Sequence, residues 1–344
     1  MKRIVTLLLT LVLAVGLTLS LASCGGGNKI KVNPDKEHYV VGIIQLAPHP
    51  ALDAATEGFK DALTAALAAK GRTVEFQYEN AQGESTMCST IVNSFVSSDV
   101  DLIMANATAA LVTAYNATEI IPILGTSITE YGVALSLKDF KGVVGANVSG
   151  TSDLAPLEDQ AQMMIDTLGL TAGAKIGLIY CSAEANSLYQ VNVVEAYLAS
   201  KGMVCERYSF TDSNDLQTVT TTAANNSDAI YVPTDNTVAT NAATIDNVCA
   251  DKKIPVFAGE EGICAGCGYA TLSISYYNIG QKTGEMAAEV LLGETDITEM
   301  PIAYDQAPVK KYNEQACINL GIDVDALKAA GYVVIEGTEV TPGE

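Results

Sequence analysis

Acidic and amide side chains stand directly after several short apolar runs. Ile176–Tyr180 is followed by Ser182, Glu184, Asn186 and Ser187, Ala229–Val232 by Thr234, Asp235 and Asn236, and Pro255–Ala258 by Glu260 and Glu261. Earlier in the chain, Gln45 and Pro48-His49-Pro50 follow Val40–Ile44, and Asn106 and Thr108 follow Leu102–Ala105. Thr126, Ser127 and Thr129 follow Pro122–Leu124, with Tyr131 beyond. The two sets differ in kind. The earlier one offers hydroxyls, amides and helix N-termini, which welcome an anion; the later one offers carboxylates, which hold a cation. A molecule with a carboxylate beside an ammonium, an α-amino acid, satisfies both. Asp235, with Glu184 as the alternative, is expected to pair the ammonium, and Asn106, Thr108 and Ser127 the carboxylate. Gln45, His49 and Tyr131 are expected to shape the side-chain pocket, with Ser182, Asn186, Asn236 and Glu260 completing the ligand contacts. The competing role for each polar residue is a helix N-cap; it is favoured for Ser187 and Asn214, and for Asp235 the two roles stand level.

Catalysis finds little support. The chain has no G-x-S-x-G nucleophile turn, no P-loop and no G-x-G-x-x-G after a strand. His49, between two prolines, reads as a cleft-wall residue rather than a general base. The carboxylates come from one half of the chain and already have a binding explanation, so glycosidase chemistry is not expected. Cys264-Ala-Gly-Cys267 could be a redox dithiol or half a zinc site, but the only histidines are His38 and His49 and no second CxxC completes a tetrahedral set. No enzyme activity, cofactor or metal is expected.

Those residues need strands to position them. Strand-like and helix-like segments alternate: strands at 40–44, 74–78, 102–105, 122–124 and 143–145, with helices at 51–69, 86–97 and 109–117. The pattern restarts near Thr151 with helices at 156–168, 187–201, 214–224 and 238–251 and strands at 176–180, 204–210, 229–232 and 255–258. Continuous apolar runs such as Val40-Val41-Gly42-Ile43-Ile44 are what strands covered on both faces require. The expected fold class is α/β, two doubly wound parallel-sheet lobes joined by a multi-strand hinge. In the tail, strands are expected at 269–275 and 302–304 around a helix at 277–292, and that helix is expected to return to the first lobe. The expected division is 38–150 plus 275–301 for the N-terminal lobe and 151–274 plus 302–335 for the C-terminal lobe.

Ahead of the lobes, Lys2 and Arg3 precede an apolar run that ends at Leu21-Ala22-Ser23-Cys24. This is a signal-peptide pattern over 1–23 with a lipobox, so Cys24 is expected to carry a lipid and 24–37 to form a flexible stalk. The flank Gly25-Gly26-Gly27-Asn28 argues against a stop-transfer helix. Removing Lys2 and Arg3 leaves 17 basic against 40 acidic residues, a charge of −23. Such a chain repels phosphate backbones and anionic lipid headgroups, so nucleic acid is excluded as a partner and the lipid is the expected membrane tether. The seven cysteines after Cys24 form no disulfide framework and read as small buried hydrophobes.

Three stretches carry a family likeness. Val41-Gly42-Ile43-Ile44-Gln45-Leu46 leading to His49-Pro50-Ala51-Leu52-Asp53, Tyr180-Cys181-Ser182-Ala183-Glu184-Ala185-Asn186-Ser187, and Val232-Pro233-Thr234-Asp235-Asn236-Thr237-Val238 resemble motifs of the ABC-transporter substrate-binding lipoproteins of the TrpX type. The likeness spans nearly all of 40–300. It departs at Cys181 and Ala183, where Asn and Pro are usual, at Glu130-Tyr131 for Asp-Pro, and in Gly262–Cys267, which lacks a Lys-Arg. The resemblance implies a type I periplasmic-binding-protein fold and capture of an amino acid, aromatic by expectation. It also implies delivery to an ABC permease in the membrane, by a protein expected to be monomeric and extracytoplasmic. A ligand sensor without transport, or a receptor for a branched amino acid, nucleoside or small sugar, remains open at this point.

Overall fold

The computed structural model describes residues 30–304 and 307–340. The expected signal segment and Cys24 lie outside them. The part of the expected stalk that is described is not free of the body: Ile30 and Val32 pack on the first lobe's core, the Lys31 amide donates to Ile120 O, and the Lys36 ammonium pairs with Asp101.

The first run of elements is β1 (His38–Gln45), α1 (Pro50–Ala68), β2 (Thr73–Asn80), α2 (Ser85–Ser97), β3 (Leu102–Asn106), α3 (Thr108–Ala117), β4 (Ile123–Ile128), α4 (Tyr131–Ala134) and β5 (Val148–Ser152). Next come α5 (Leu157–Leu168), β6 (Lys175–Cys181), α6 (Ala185–Ser200), β7 (Val204–Phe210), α7 (Leu216–Asn226), β8 (Ala229–Val232), α8 (Asn236–Thr240), α9 (Ala242–Lys252), β9 (Val256–Ala258), α10 (Glu261–Cys267) and β10 (Ala270–Ser273). The tail holds α11 (Tyr276–Leu291), β11 (Ala303–Tyr304), β12 (Val309–Tyr312), α12 (Glu314–Leu320), α13 (Val324–Ala329) and β13 (Val333–Val334).

These strands form two sheets, in the orders β11-β5-β4-β3-β1-β2 and β13-β12-β10-β9-β8-β6-β7. Neighbouring strands are parallel throughout, except that β10 and β12 run antiparallel. The protein is therefore two doubly wound α/β lobes. The chain passes between sheets after Ser152, after Ser273 and after Tyr304. The edge strand Ala303–Tyr304, expected with the second lobe, pairs with Thr151 and Ser152 of the first.

The sidedness of β1 shows why the apolar runs become central strands. Tyr39, Val41 and Ile43 pack under α1 and α11, while Ile44 faces the opposite layer with Val92 and Phe95 of α2 and Leu111 of α3. Strand β5 follows a different rule. The strand expected at 143–145 reduces to a single bridge, Val143 to Pro301, and the fifth strand is instead Val148-Ser149-Gly150-Thr151-Ser152. Its polar side chains are buried because each finds a partner. Ser149 Oγ donates to Met300 O, the Thr151 hydroxyl meets that of Thr283 at 2.8 Å, and Ser152 Oγ donates to Thr129 O. Hydropathy carries no signal for such a strand.

Candidate functional site

Loops from the carboxyl ends of strands in both sheets meet in one gap between the lobes, where open parallel sheets place ligands. His49, Leu52, Ser127, Thr129 and Asp153 line it from the first lobe and the hinge; Asn186, Thr234, Asp235, Asn236, Ala239, Glu260 and Ile263 line it from the second, with Tyr276 at the start of α11. The lobes are drawn close: the void is about 10 Å³, roughly the room a single water occupies. Admission of a solute therefore requires the lobes to part, and closure would desolvate it on all sides.

Of the expected ligand residues, His49, Ser127, Asn186, Asp235, Asn236 and Glu260 line this gap, and Gln45, Asn106, Thr108, Tyr131, Ser182 and Glu184 do not. Gln45 is held inside the first lobe. Its Nε2 donates to Ala47 O and to Asp53 Oδ1, and its Oε1 accepts from Thr56 Oγ1 at 2.7 Å. Asn106 Nδ2 donates to Leu52 O and to Thr56 Oγ1, which ties β3 to α1. Thr108 begins α3 beside them. Ser182 is used on the outer side, donating to Phe210 O. Tyr131 points under the sheet rather than toward the cleft, its hydroxyl set 3.0 Å from both Gly125 O and Thr151 O. Gly125 and Gly150 make room for it, since a Cβ at either would sit 2.5 Å from that hydroxyl. Tyr131→Phe is accordingly expected to lower the unfolding free energy by about 1 kcal/mol and to leave solute affinity unchanged. Urea titration and calorimetry on one preparation check both halves.

The carboxylates expected to face a ligand from the second jaw are already engaged by donors of the protein. Asp235 accepts from the Cys181 amide at 2.7 Å and from the Val238 amide at 2.9 Å, so it caps α8 and ties it to β6. Glu184 accepts from the Asn236 and Thr237 amides, from Asn236 Nδ2 and from the Thr237 hydroxyl. Glu260 accepts from the Gly262 and Ile263 amides and caps α10. All three spend at least one oxygen on a helix N-terminus, the role that competed with ligand contact from the outset. Burial nonetheless pushes Asp235 well up, with the Glu184 charge adding to it, and lifts Glu260 to about 7.

Three buried polar atoms around the gap have no partner: His49 Nδ1, Ser127 Oγ and Asp153 Oδ1. Ser127 sits in β4 at φ 57°, in the left-handed region, where the β4–β5 register shifts between Gly125 and Ile128. Holding a non-glycine residue there costs about 1 kcal/mol, and strain of this kind gathers at functional sites. Asp153 follows β5 at the first crossing between lobes. Its Oδ2 accepts from the Tyr276 hydroxyl at 3.0 Å, and Oδ1 accepts from nothing. Burial raises its pKa to about 6, with the nearby Thr129 and Tyr276 hydroxyls pulling the other way. Sequence reasoning missed Asp153 and Tyr276. The usable signal was there: an acid directly after a strand, hidden because that strand is polar.

His49 is kept neutral, burial lowering its pKa against the opposing pull of Asn236, Asp53 and Glu184. Its Nε2 lies 3.4 Å from Asn236 Oδ1, a contact from one lobe to the other. Among the described residues no group of three His, Cys, Asp or Glu stands close enough to hold a metal ion. Cys264 and Cys267 are buried free thiols of α10. A wider groove of about 300 Å³ runs along the outer flank of α1 past Asp53, Glu57, Lys60, Asp61 and Tyr78. Within it Gln45 Nε2 donates to Asp53 and the Lys60 ammonium lies over the Tyr78 ring at 4.5 Å; it lies on the first lobe alone, whereas the interlobe gap gathers strand ends from both sheets, so the gap is the better candidate.

Comparison with known proteins gives a consistent picture. The family described as ABC transporter substrate binding protein matches residues 40–332. A tyrosine-binding protein of Clostridioides difficile (strain R20291) is 33% identical over 307 residues, covering 88% of this chain and 87% of that one. An ABC domain from Streptococcus pneumonia solved in complex with L-Trp is 28% identical with a TM-score of 0.78, covering 86% of this chain and 100% of that one. The ligand-free, open structure of a substrate binding protein with adhesive properties from Clostridium difficile is 31% identical with a TM-score of 0.65, covering 87% and 100%.

Proposed function

This chain belongs to the ABC transporter substrate binding proteins, and on that premise we propose that it captures an aromatic amino acid between its lobes and delivers it to a membrane permease. The observation that carries the proposal is the set of unmet polar atoms in the gap. Asp153 Oδ1 is an acceptor placed for an ammonium, and Ser127 Oγ is a donor placed for a carboxylate. With Asp235, Glu184 and Glu260 engaged by backbone amides, Asp153 takes the ammonium role that the strand-end reading expected of Asp235, with Glu184 as its alternative. Leu52, Ala239 and Ile263 supply apolar wall for a side chain. The tyrosine-binding and L-Trp-bound relatives support the aromatic class.

Binding is the whole of the activity in this reading, with no chemical step. Closure by hinge motion would bury the zwitterion, and release follows when the permease reopens the lobes. The pattern Leu21-Ala22-Ser23-Cys24 supports tethering to the outer surface of the membrane through a lipid on Cys24. A thermal-shift screen against the twenty amino acids and a panel of sugars tests the proposal. At a ligand concentration of about 100 times Kd, binding adds roughly 2.7 kcal/mol to stability, so tyrosine, tryptophan or phenylalanine should raise the midpoint clearly. A response to sugars alone would overturn the reading.

A further inference from the structure

The neutral imidazole of His49 is held in a chain of contacts that determines which proton it carries. Glu184 Oε2 accepts from Asn236 Nδ2 at 2.7 Å, which leaves Asn236 Oδ1 as the atom facing His49 Nε2 at 3.4 Å. An amide oxygen only accepts, so Nε2 carries the hydrogen and Nδ1 presents a lone pair. That Nδ1 is buried and meets no donor, on a residue only 7% exposed that lines the gap beside Leu52 and Ala239. Asp153, which the proposed function gives to the ligand's ammonium, stands at the hinge with Thr129 and Tyr276 instead.

We infer that His49 is a specificity-determining residue whose Nδ1 accepts a hydrogen bond from the ligand's ring substituent. The protein thereby selects aromatic amino acids that carry a side-chain donor, a phenol O–H or an indole N–H, over phenylalanine. The inference rests on the aromatic amino-acid reading and narrows it. A ring without a donor leaves the buried acceptor unmet, and sites built to bond a substrate hydroxyl discriminate strongly against its deoxy analogue for this reason. Glu184 and Asn236 act on the ligand only through His49, as positioning residues.

Calorimetric titration of the mature protein with L-tyrosine, L-tryptophan and L-phenylalanine tests this. The better of tyrosine and tryptophan should bind at least tenfold more tightly than phenylalanine. In His49→Phe, and in the smaller His49→Leu should the ring fail to fit, that ratio should collapse to about twofold or less. His49→Gln, whose amide oxygen can accept, should retain most of it; a residue that only filled space would show no such rescue. Phenylalanine binding as tightly as both others, or a preference that survives in both acceptor-free variants, would overturn the role of His49 while leaving aromatic capture intact. Binding of none of the three would overturn both.

Discussion

Asp153→Asn is expected to weaken amino-acid capture severely while making the ligand-free protein more stable. Removing one partner of a buried hydrogen-bonded charge pair costs about 2–5 kcal/mol, which is a loss of affinity of roughly 30-fold or more. The stability change has the opposite sign. Asp153 is 5% exposed and its pKa is raised by burial to about 6, against the ordinary 3.8. A carboxyl whose folded pKa is raised contributes stability that is complete below its unfolded pKa and is lost as pH rises through the folded value. At pH 7 the ionised Asp153 therefore works against folding by about 1–3 kcal/mol. Asparagine removes that charge and keeps an amide oxygen for the Tyr276 hydroxyl. The stability advantage of Asp153→Asn over the parent should thus appear between pH 4 and pH 6 and level off above about 7.

Urea unfolding at a series of pH values, beside calorimetric titration with the amino acid found by screening, reads both effects. The opposed signs make the test sharp, because a variant that had merely misfolded would lose binding and stability together. Unchanged affinity would remove Asp153 from the ammonium role. The ligand's ammonium would also pull the Asp153 pKa down, so affinity should weaken as pH falls below about 6 in the parent protein, and this dependence should be absent from whatever weak binding the variant retains.

The second large effect lies away from the gap. Gly280→Ala should lower the unfolding free energy by about 3 kcal/mol or more, although alanine is the better helix former by about 1 kcal/mol. Helices α1 and α11 meet backbone to backbone: a Cβ at Gly280 would stand 2.1 Å from Ala55 O, and one at Gly58 would stand 2.2 Å from Tyr277 O. Gly284 repeats the contact one turn on, 2.5 Å from Phe59 O. No rotamer relieves a clash with main chain, so the helices must separate. That would loosen Phe59, Leu63, Met286 and Val290 over the first sheet. It would also shift Tyr276 at the start of α11, so some loss of ligand affinity should accompany the loss of stability. An alanine variant as stable as the parent would show that the two helices have slack.

The alternation of apolar strands with amphipathic helices was legible without coordinates, because burial on both faces of a central strand leaves an unbroken hydrophobic run in the residues themselves. β1, β3, β6 and β8 are of this kind, and two doubly wound lobes followed from them. β5 was not legible, since its burial depends on partners at Met300 and Thr283, more than a hundred residues away in the chain.

The same limit divided the site. Strand-end positions brought His49, Ser127, Asn186, Asp235, Asn236 and Glu260 to the gap, because the ends of parallel strands converge whatever their side chains do. Whether a carboxylate there is free or committed is a matter of what donors lie within about 3 Å of it, and a helix cap and a ligand contact look alike in the residue order. Composition, charge and the order of elements were determined by the chain's own local pattern. The assignment of Asp153 as the open acceptor, of Asp235, Glu184 and Glu260 as caps, and of Gln45, Asn106 and Tyr131 as interior ties was decided only by tertiary structure, because hydrogen-bond partners are chosen by proximity in space and not along the chain.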